Sequence, residues 1–328
     1  MPLAPNMPPP TISVMMDDGF PLIVHTWGKG PANPYLRGIL VLVHGMSEHA
    51  IRYAPLAQAL VERGFFVYAP DLRGHGRNIT ATTPIGHIAH KNSVGRAAQD
   101  ISTVIQLART FGLPVGLCGH AFGTTVARKL LVDDPKTARD LFAVALSSTS
   151  PRMGSVYRPF AKLAQIEAKI RGAATPDIIV EPLIMGGFNL PFERRTTHDW
   201  LSQDSKVVDA YIADPLCGAP GSTSFWFDLL ETLPQIQAAE DVGHIPVHIP
   251  MLLLAGTLDP MSAGGIANGF LAGTYSKVGA RVKDERIPLG RHEVLNLPHV
   301  AAQTASWFVS HAQTAQPRYI EPPAPQNT

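Results

Sequence analysis

From residue 38 to about residue 148, short apolar runs alternate with stretches whose apolar residues recur at helical spacing, and no other feature restricts the fold as much. Apolar runs of strand length bounded by turns read as strands buried on both faces, and the helices between them supply the crossovers that parallel pairing requires. Strands are expected at 39–44, 65–69, 115–118 and 142–147, with helices over 53–62, 94–109 and 122–132. Two more strand-like runs lie far downstream, at 251–255 and 281–287, followed by a closing helix over 300–311. Ahead of the alternating region, Asp17-Asp18-Gly19 separates two β-prone runs, 11–16 and 20–27, as an antiparallel hairpin would. The sum is an α/β chain with a mostly parallel eight-stranded sheet and helices on both faces.

The interruption between the fourth crossover strand and residue 251 is informative. Residues 151–240 lack strand-like runs and hold helical pieces, Gly/Pro breaks and many aromatic residues. An insertion of that size between two sheet strands reads as a helical cap over the strand ends, where open α/β sheets bind ligands. The core is then 11–150 plus 241–313, and the Pro-rich segments 1–10 and 314–328 are expected to be loosely ordered tails. Met185, Phe188, Phe192, Phe225 and Trp226, with Phe227, are the cap residues expected to line an apolar substrate pocket.

Composition removes several classes of function. A length of 328 residues and a 45% hydrophobic share support one large core with an insertion. The net charge of +1, without any Lys/Arg run, gives no footprint for nucleic acid or an anionic membrane surface. No stretch reaches the roughly 18–20 apolar residues that span a bilayer, and the first ten residues lack the basic start and apolar run of a secretory signal, so a cytoplasmic protein is expected. Two cysteines, Cys118 and Cys217, are too few for a disulfide framework and read as free thiols. His87 and His90 have no carboxylate or cysteine in a ligand pattern, and Gly28-x-Gly30 lacks the strand–helix context of a dinucleotide loop, so neither a metal nor a cofactor is expected.

Chemistry concentrates in three separated segments. Gly119-His120-Ala121-Phe122-Gly123 follows an apolar strand and opens a helix, the setting of a nucleophile elbow, G-x-S-x-G, with alanine in place of serine. Flanking glycines let strand and helix approach closely around a residue held in an unfavourable conformation. Asp259, in the loop after the strand at 251–255, is the candidate acid, and His292, after the last strand, the candidate base. The order nucleophile, acid, histidine is that of α/β hydrolases. The oxyanion donors are expected to be the backbone N–H groups of Phe122 and Met46. Asp284 and Glu285 are rival acids inside a strand, and His299 is a rival base that more naturally starts the last helix. His44, His75 and His120 flank glycine turns and read as structural, and Cys118 as a small core residue.

His44-Gly45-x-x-Glu48-His49-x-x-Arg52-Tyr53, Asp71-x-Arg73-Gly74-His75-Gly76 and the elbow together resemble the monoacylglycerol lipase and lysophospholipase-like group of α/β hydrolases, serine hydrolases of the S33 type. The likeness runs over roughly residues 11–313 and includes Arg195-Thr196-x-x-Asp199-Trp200-Leu201-Ser202 and Asp214-Pro215-Leu216-Cys217-Gly218 in the cap. It implies hydrolysis, through a Ser-His-Asp triad and an acyl-enzyme, of an ester with a long, bulky or aromatic apolar part. Ala121 departs from that pattern. One missing oxygen amid a complete apparatus reads as a serine hydrolase inactivated at its nucleophile, able to bind its ester and hardly able to turn it over. The alternatives are a natural pseudoenzyme that binds ligands, or nucleophile-free chemistry of the His292–Asp259 dyad, as in a lyase or cofactor-free oxygenase. Which ester, and what oligomeric state, have no signal in the chain.

Overall fold

The computed structural model describes residues 8–312 apart from 34 and 153, so most of the expected tails, 1–7 and 314–328, and residue 313 of the expected core lie outside the described residues. Eight strands form one sheet: β1 (Thr11–Met15), β2 (Pro21–Trp27), β3 (Gly38–Val43), β4 (Phe65–Pro70), β5 (Val115–His120), β6 (Leu141–Ser147), β7 (Met251–Gly256) and β8 (Val282–Ile287), in the spatial order 1-2-4-3-5-6-7-8. β1 and β2 pair antiparallel, as do β2 and β4, and every other neighbour is parallel. Each expected strand is present within a residue or two of its expected ends.

The helices are α1 (Ala54–Glu62), α2 (Ser93–Arg109), α3 (Phe122–Asp133), the single turn α4 (Pro135–Ala138), α5 (Tyr157–Arg171), α6 (Val180–Met185), α7 (Ser205–Ala213), α8 (Thr223–Asp241), α9 (Ile266–Lys277) and α10 (Pro298–Ala312). Strand alternation sorts their packing. Ile39, Val41 and Val43 of β3 join one apolar cluster with α2, α3 and α8, while Leu40 and Leu42 join another with α1 and α10. Each such side chain removed from water contributes about 1.5–3 kcal/mol, so both faces of the sheet demand a helical layer. His299 lies at the start of α10, and Asp284 sits in β8 beside Arg286. Helix α9 has no counterpart in the sequence reading, because Gly265, Gly269 and Gly273 dilute its helical pattern.

The chain is already held before β1: Pro9 is buried, and the carbonyl of Pro10 accepts from Thr26 N at 2.8 Å. Between β6 and β7 come α5 to α8, where the insertion was expected. Helix α8 is more than cap, since it packs on α2 and α3, and its Glu240 receives both Arg128 of α3 and Tyr275 of α9 at 2.7 Å. The strand order reverses between β3 and β5, whose neighbours run off in opposite directions. The loops leaving the carboxyl ends of those two strands therefore splay apart and open a crevice there.

Candidate active site

Residue 121 occupies the crevice. β5 ends at His120 and α3 begins at Phe122, so one residue makes the turn, and Ala121 does so at φ 49° and ψ −116°. Its flanking glycines are sterically required: a Cβ on Gly119 would stand 2.4 Å from Gly123 O, and one on Gly123 would stand 2.2 Å from Val43 O. A non-glycine residue in that conformation costs of order 1–3 kcal/mol and persists because the strand and helix around it over-determine it. Phe122 is the first residue of α3, so its N–H has no carbonyl one turn earlier to bond.

The loop after β3 lies against this turn. A Cβ on Gly45 would come within 3.1 Å of the Ala121 methyl and 2.6 Å of Glu48 Oε1. Glu48 holds the loop by accepting from Gly45 N and Tyr53 OH, each at 2.6 Å, and from Arg52 Nε at 3.2 Å. The same guanidinium also bonds Glu293, beside His292. Burial opposes the charge of Glu48, yet His120, Arg52 and the Tyr53 hydroxyl outweigh it and hold its carboxyl at about 2. Met46, carried by this loop, lines the same cavity as Ala121 and Phe122.

Asp259 and His292 come together although 33 residues apart, with Nδ1 of the histidine 3.0 Å from Oδ1 of the acid. Nε2 is left as the nitrogen available to the cavity, which His292 and Ala121 both line. Ser148 Oγ donates to Asp259 Oδ2 at 2.5 Å and lies 2.9 Å from His292 Nδ1, while Ser262 Oγ donates at 2.6 Å and Met261 N at 3.1 Å. Burial works against ionising Asp259, but His292 and the two hydroxyls prevail and keep its carboxyl at about 2. Burial likewise disfavours a charged His292, and the neighbouring carboxylate reverses that and raises its pKa. The ring is fixed between His120 and Trp200, with centroids 4.6 and 4.9 Å away. Ser148 and Ser262 were missed from sequence; the polar run Ser147-Ser148-Thr149 at the carboxyl end of a buried strand was the available signal for the first.

The cavity over residue 121 measures about 360 Å³, and its lining is almost wholly apolar. Met185, Phe188, Phe225 and Trp226 line it, joined by Phe160, Leu183, Leu229 and Leu233. Phe192 does not: its ring stacks 4.4 Å from the Arg291 guanidinium and borders a separate surface depression, because Arg291, held by Asp199 O and Glu193, offers it a cationic partner outside the crevice. Phe227 packs against the core cluster instead. A second, smaller and more polar pocket opens beside Ala121 and His292, lined by Glu181, His198 and Tyr211 among others. Glu181 Oε2 accepts from Gly221 N and Trp226 Nε1, both at 2.8 Å, and burial pushes its carboxyl up to about 7. His44 and His75 bond neighbouring carbonyls, and burial drives the pKa of each down. Among the described residues no helix is long and apolar enough to cross a membrane.

An elbow at the end of β5, an acid after β7 and a histidine after β8, under an insertion that follows β6, define an α/β-hydrolase fold. The chain belongs to the family described as serine aminopeptidase, S33, whose model matches residues 34–298. It is 29% identical over 289 residues to a monoacylglycerol lipase of Mycolicibacterium smegmatis, covering 84% of this chain and 89% of the relative. The human monoglyceride lipase is 25% identical over 248 residues, covering 74% and 71% of the two chains. Among solved structures, a thermostable carboxyl esterase from Bacillus coagulans bound to glycerol superposes with a TM-score of 0.81 at 22% identity, over 94% of this chain and all of that one.

Proposed function

We propose that this chain has the apparatus of a carboxylic-ester hydrolase for esters with a long or aromatic apolar part, of which monoacylglycerols are the first candidates, and that alanine at position 121 leaves it able to bind such esters but not to turn them over. The observation that carries the reading is the Asp259–His292 pair at 3.0 Å, whose histidine lines the same apolar cavity as the strained residue 121. The names of the relatives point the same way. With serine at 121, its Oγ attacks the ester carbonyl carbon while His292 Nε2 takes the proton. The oxyanion is received by the N–H groups of Met46 and Phe122, and collapse expels the alcohol, which regains the proton from His292. Water, deprotonated by the same nitrogen, then releases the acid and restores the hydroxyl. The apolar part fits the larger cavity, and the alcohol fits the polar pocket beside Glu181.

Removing a triad nucleophile costs about 10⁶ in turnover, so Ala121→Ser should convert a nearly silent chain into an esterase by about that factor. The measurement is hydrolysis of monoacylglycerols and medium-chain nitrophenyl esters by the two folded proteins; an Ala121→Ser protein that stays silent on both overturns the proposal. The intact pair beside an inert methyl also favours a second reading, in which His292 is a general base without a nucleophile. Activity in the present chain that disappears in His292→Ala would establish it.

A further inference from the structure

We propose that His49, Asp214 and Cys217 form a binding site for a divalent cation of the zinc class, one that ties the cap to the loop carrying Met46. Each residue offers one ligand atom, and the three atoms lie within 4.8 Å of one another. His49 Nε2 and Asp214 Oδ2 are already 2.9 Å apart. Zinc binds sulfur at about 2.3 Å and imidazole or carboxylate at about 2.0–2.2 Å, so tetrahedral ligands sit about 3.3–3.8 Å from one another. Opening the His49–Asp214 contact slightly and drawing in the Cys217 sulfur reaches that spacing.

The scaffold under these ligands is rigid. Leu216 N donates to Asp214 Oδ1 at 2.9 Å and Cys217 N to Asp214 O at 3.0 Å, which shapes the turn that presents both cap ligands. That turn is bonded to the core loop: Gly218 N and Tyr211 OH both reach Ser47 O, at 2.9 and 3.0 Å. His49 is buried, whereas Asp214 and Cys217 are part-exposed, so a cation has an entry path and a water can complete four ligands. An imidazole nitrogen, a carboxylate and a thiolate together suit a borderline-soft ion, and a hard magnesium or calcium ion finds too few oxygens.

Charge is balanced as well. The cation, the carboxylate and the thiolate sum to zero, and the nearby Arg52 is already engaged by Glu48 and Glu293, so it does not compete for Asp214. Burial holds the Cys217 thiol up near 12, so the cation must displace its proton, which passes to solvent. Binding therefore weakens as pH falls, because protons compete for the sulfur. His49 stands three residues from Met46, so an occupied site would fix both the cap turn and the donor loop. This inference does not depend on the hydrolase reading.

Cobalt(II) is the probe, titrated into the full chain as purified. The expected result is a near-ultraviolet thiolate-to-cobalt band with visible bands of a tetrahedral ion, saturating at one cobalt per chain, displaced by zinc, which also raises the melting temperature. Cys217→Ser should abolish the near-ultraviolet band, and Asp214→Asn and His49→Gln should each weaken binding at least tenfold, while Cys118→Ser leaves all of it intact. If His49→Gln does not fold, the Asp214 and Cys217 variants decide the matter. A titration with no saturable band, or a band that survives Cys217→Ser, overturns the site.

Discussion

Two carboxyl groups almost wholly shielded from solvent, Asp259 in the core and Asp177 in the segment between β6 and β7, are held in opposite ways. Asp259 takes four donors on its two oxygens and is kept ionised. Asp177 takes three backbone N–H groups on Oδ1, from Ile179, Val180 and Glu181, but its Oδ2 has no donor, and neither has Oε2 of Glu167 next to it. Burial and that neighbour raise the pKa of Asp177, and Glu181 follows it upward on the pocket wall. Large apolar side chains such as Ile170, Ile178, Leu183 and Leu190 also stand exposed on the cap. Around Asp259 both carboxyl oxygens are fully engaged, which fixes one ionisation state and one geometry. Around Asp177 the remaining oxygens of two carboxyls face each other with no third group to donate, and its pKa rises instead.

The contrast breaks if the two regions respond alike to equivalent changes. The largest effect is expected at Asp259: in a chain carrying Ala121→Ser, Asp259→Asn should lower kcat by about 10⁴ with KM little changed, because the histidine loses its tautomer and its countercharge. Steady-state kinetics on one ester checks it, and a loss under tenfold would remove Asp259 from the triad. Next comes steric tolerance. Gly123→Ala in the core should cost about 1–3 kcal/mol in a denaturant titration, since its Cβ would meet Val43 O at 2.2 Å. Gly187→Ala in the cap, whose Cβ would find only Leu190 at 3.9 Å, should stay within about 0.5 kcal/mol. Ser148→Ala should then reduce kcat of the serine-bearing chain about tenfold, the worth of one charged hydrogen bond, and move the acidic limb of its pH profile, which reports deprotonation of His292, a readout that a merely structural serine would leave in place.

The smallest and sharpest test is pH. Glu181 is raised from 4.5 to about 7, so neutral Glu181 stabilises the folded cap fully below about pH 4.5, and that contribution is lost as pH rises toward 7. Asp259, lowered from 3.8 to about 2, behaves in reverse: its contribution is full above about pH 4 and is lost only as pH falls toward 2. Once the intrinsic base-catalysed rise is divided out, amide protection in α6 should therefore fall across the upper window while protection around α3 does not change, and Glu181→Gln should remove the difference. Equal responses in both helices would erase the distinction between cap and core.

Much of this molecule was legible because its signals are local. Strand periodicity, the Asp17-Asp18-Gly19 turn and the paired glycines around residue 121 each act within a few residues, through sterics and hydrogen bonding of the immediate backbone. The positions of Asp259 and His292 were legible one step further, since each follows an apolar run that had to be a strand. Ser148 was not, for its role depends on β6 ending beside β7, and neither was the position of Phe192, which turns on where Arg291 points. The trio of His49, Asp214 and Cys217 left no trace either, its first two members being 165 residues apart.

By itself, then, the sequence determined a parallel sheet wrapped in helices, a strained turn at residue 121, and the loops that bear Asp259 and His292. Only the tertiary structure decided that these loops meet, that Met185, Phe188, Phe225 and Trp226 but not Phe192 line the cavity over residue 121, and that burial raises the pKa of one shielded acid while partners lower that of another. The division is physical: backbone conformation follows from neighbours along the chain, whereas pKa, cavity shape and ligand geometry follow from neighbours in space, which crossovers and the cap bring together from distant segments.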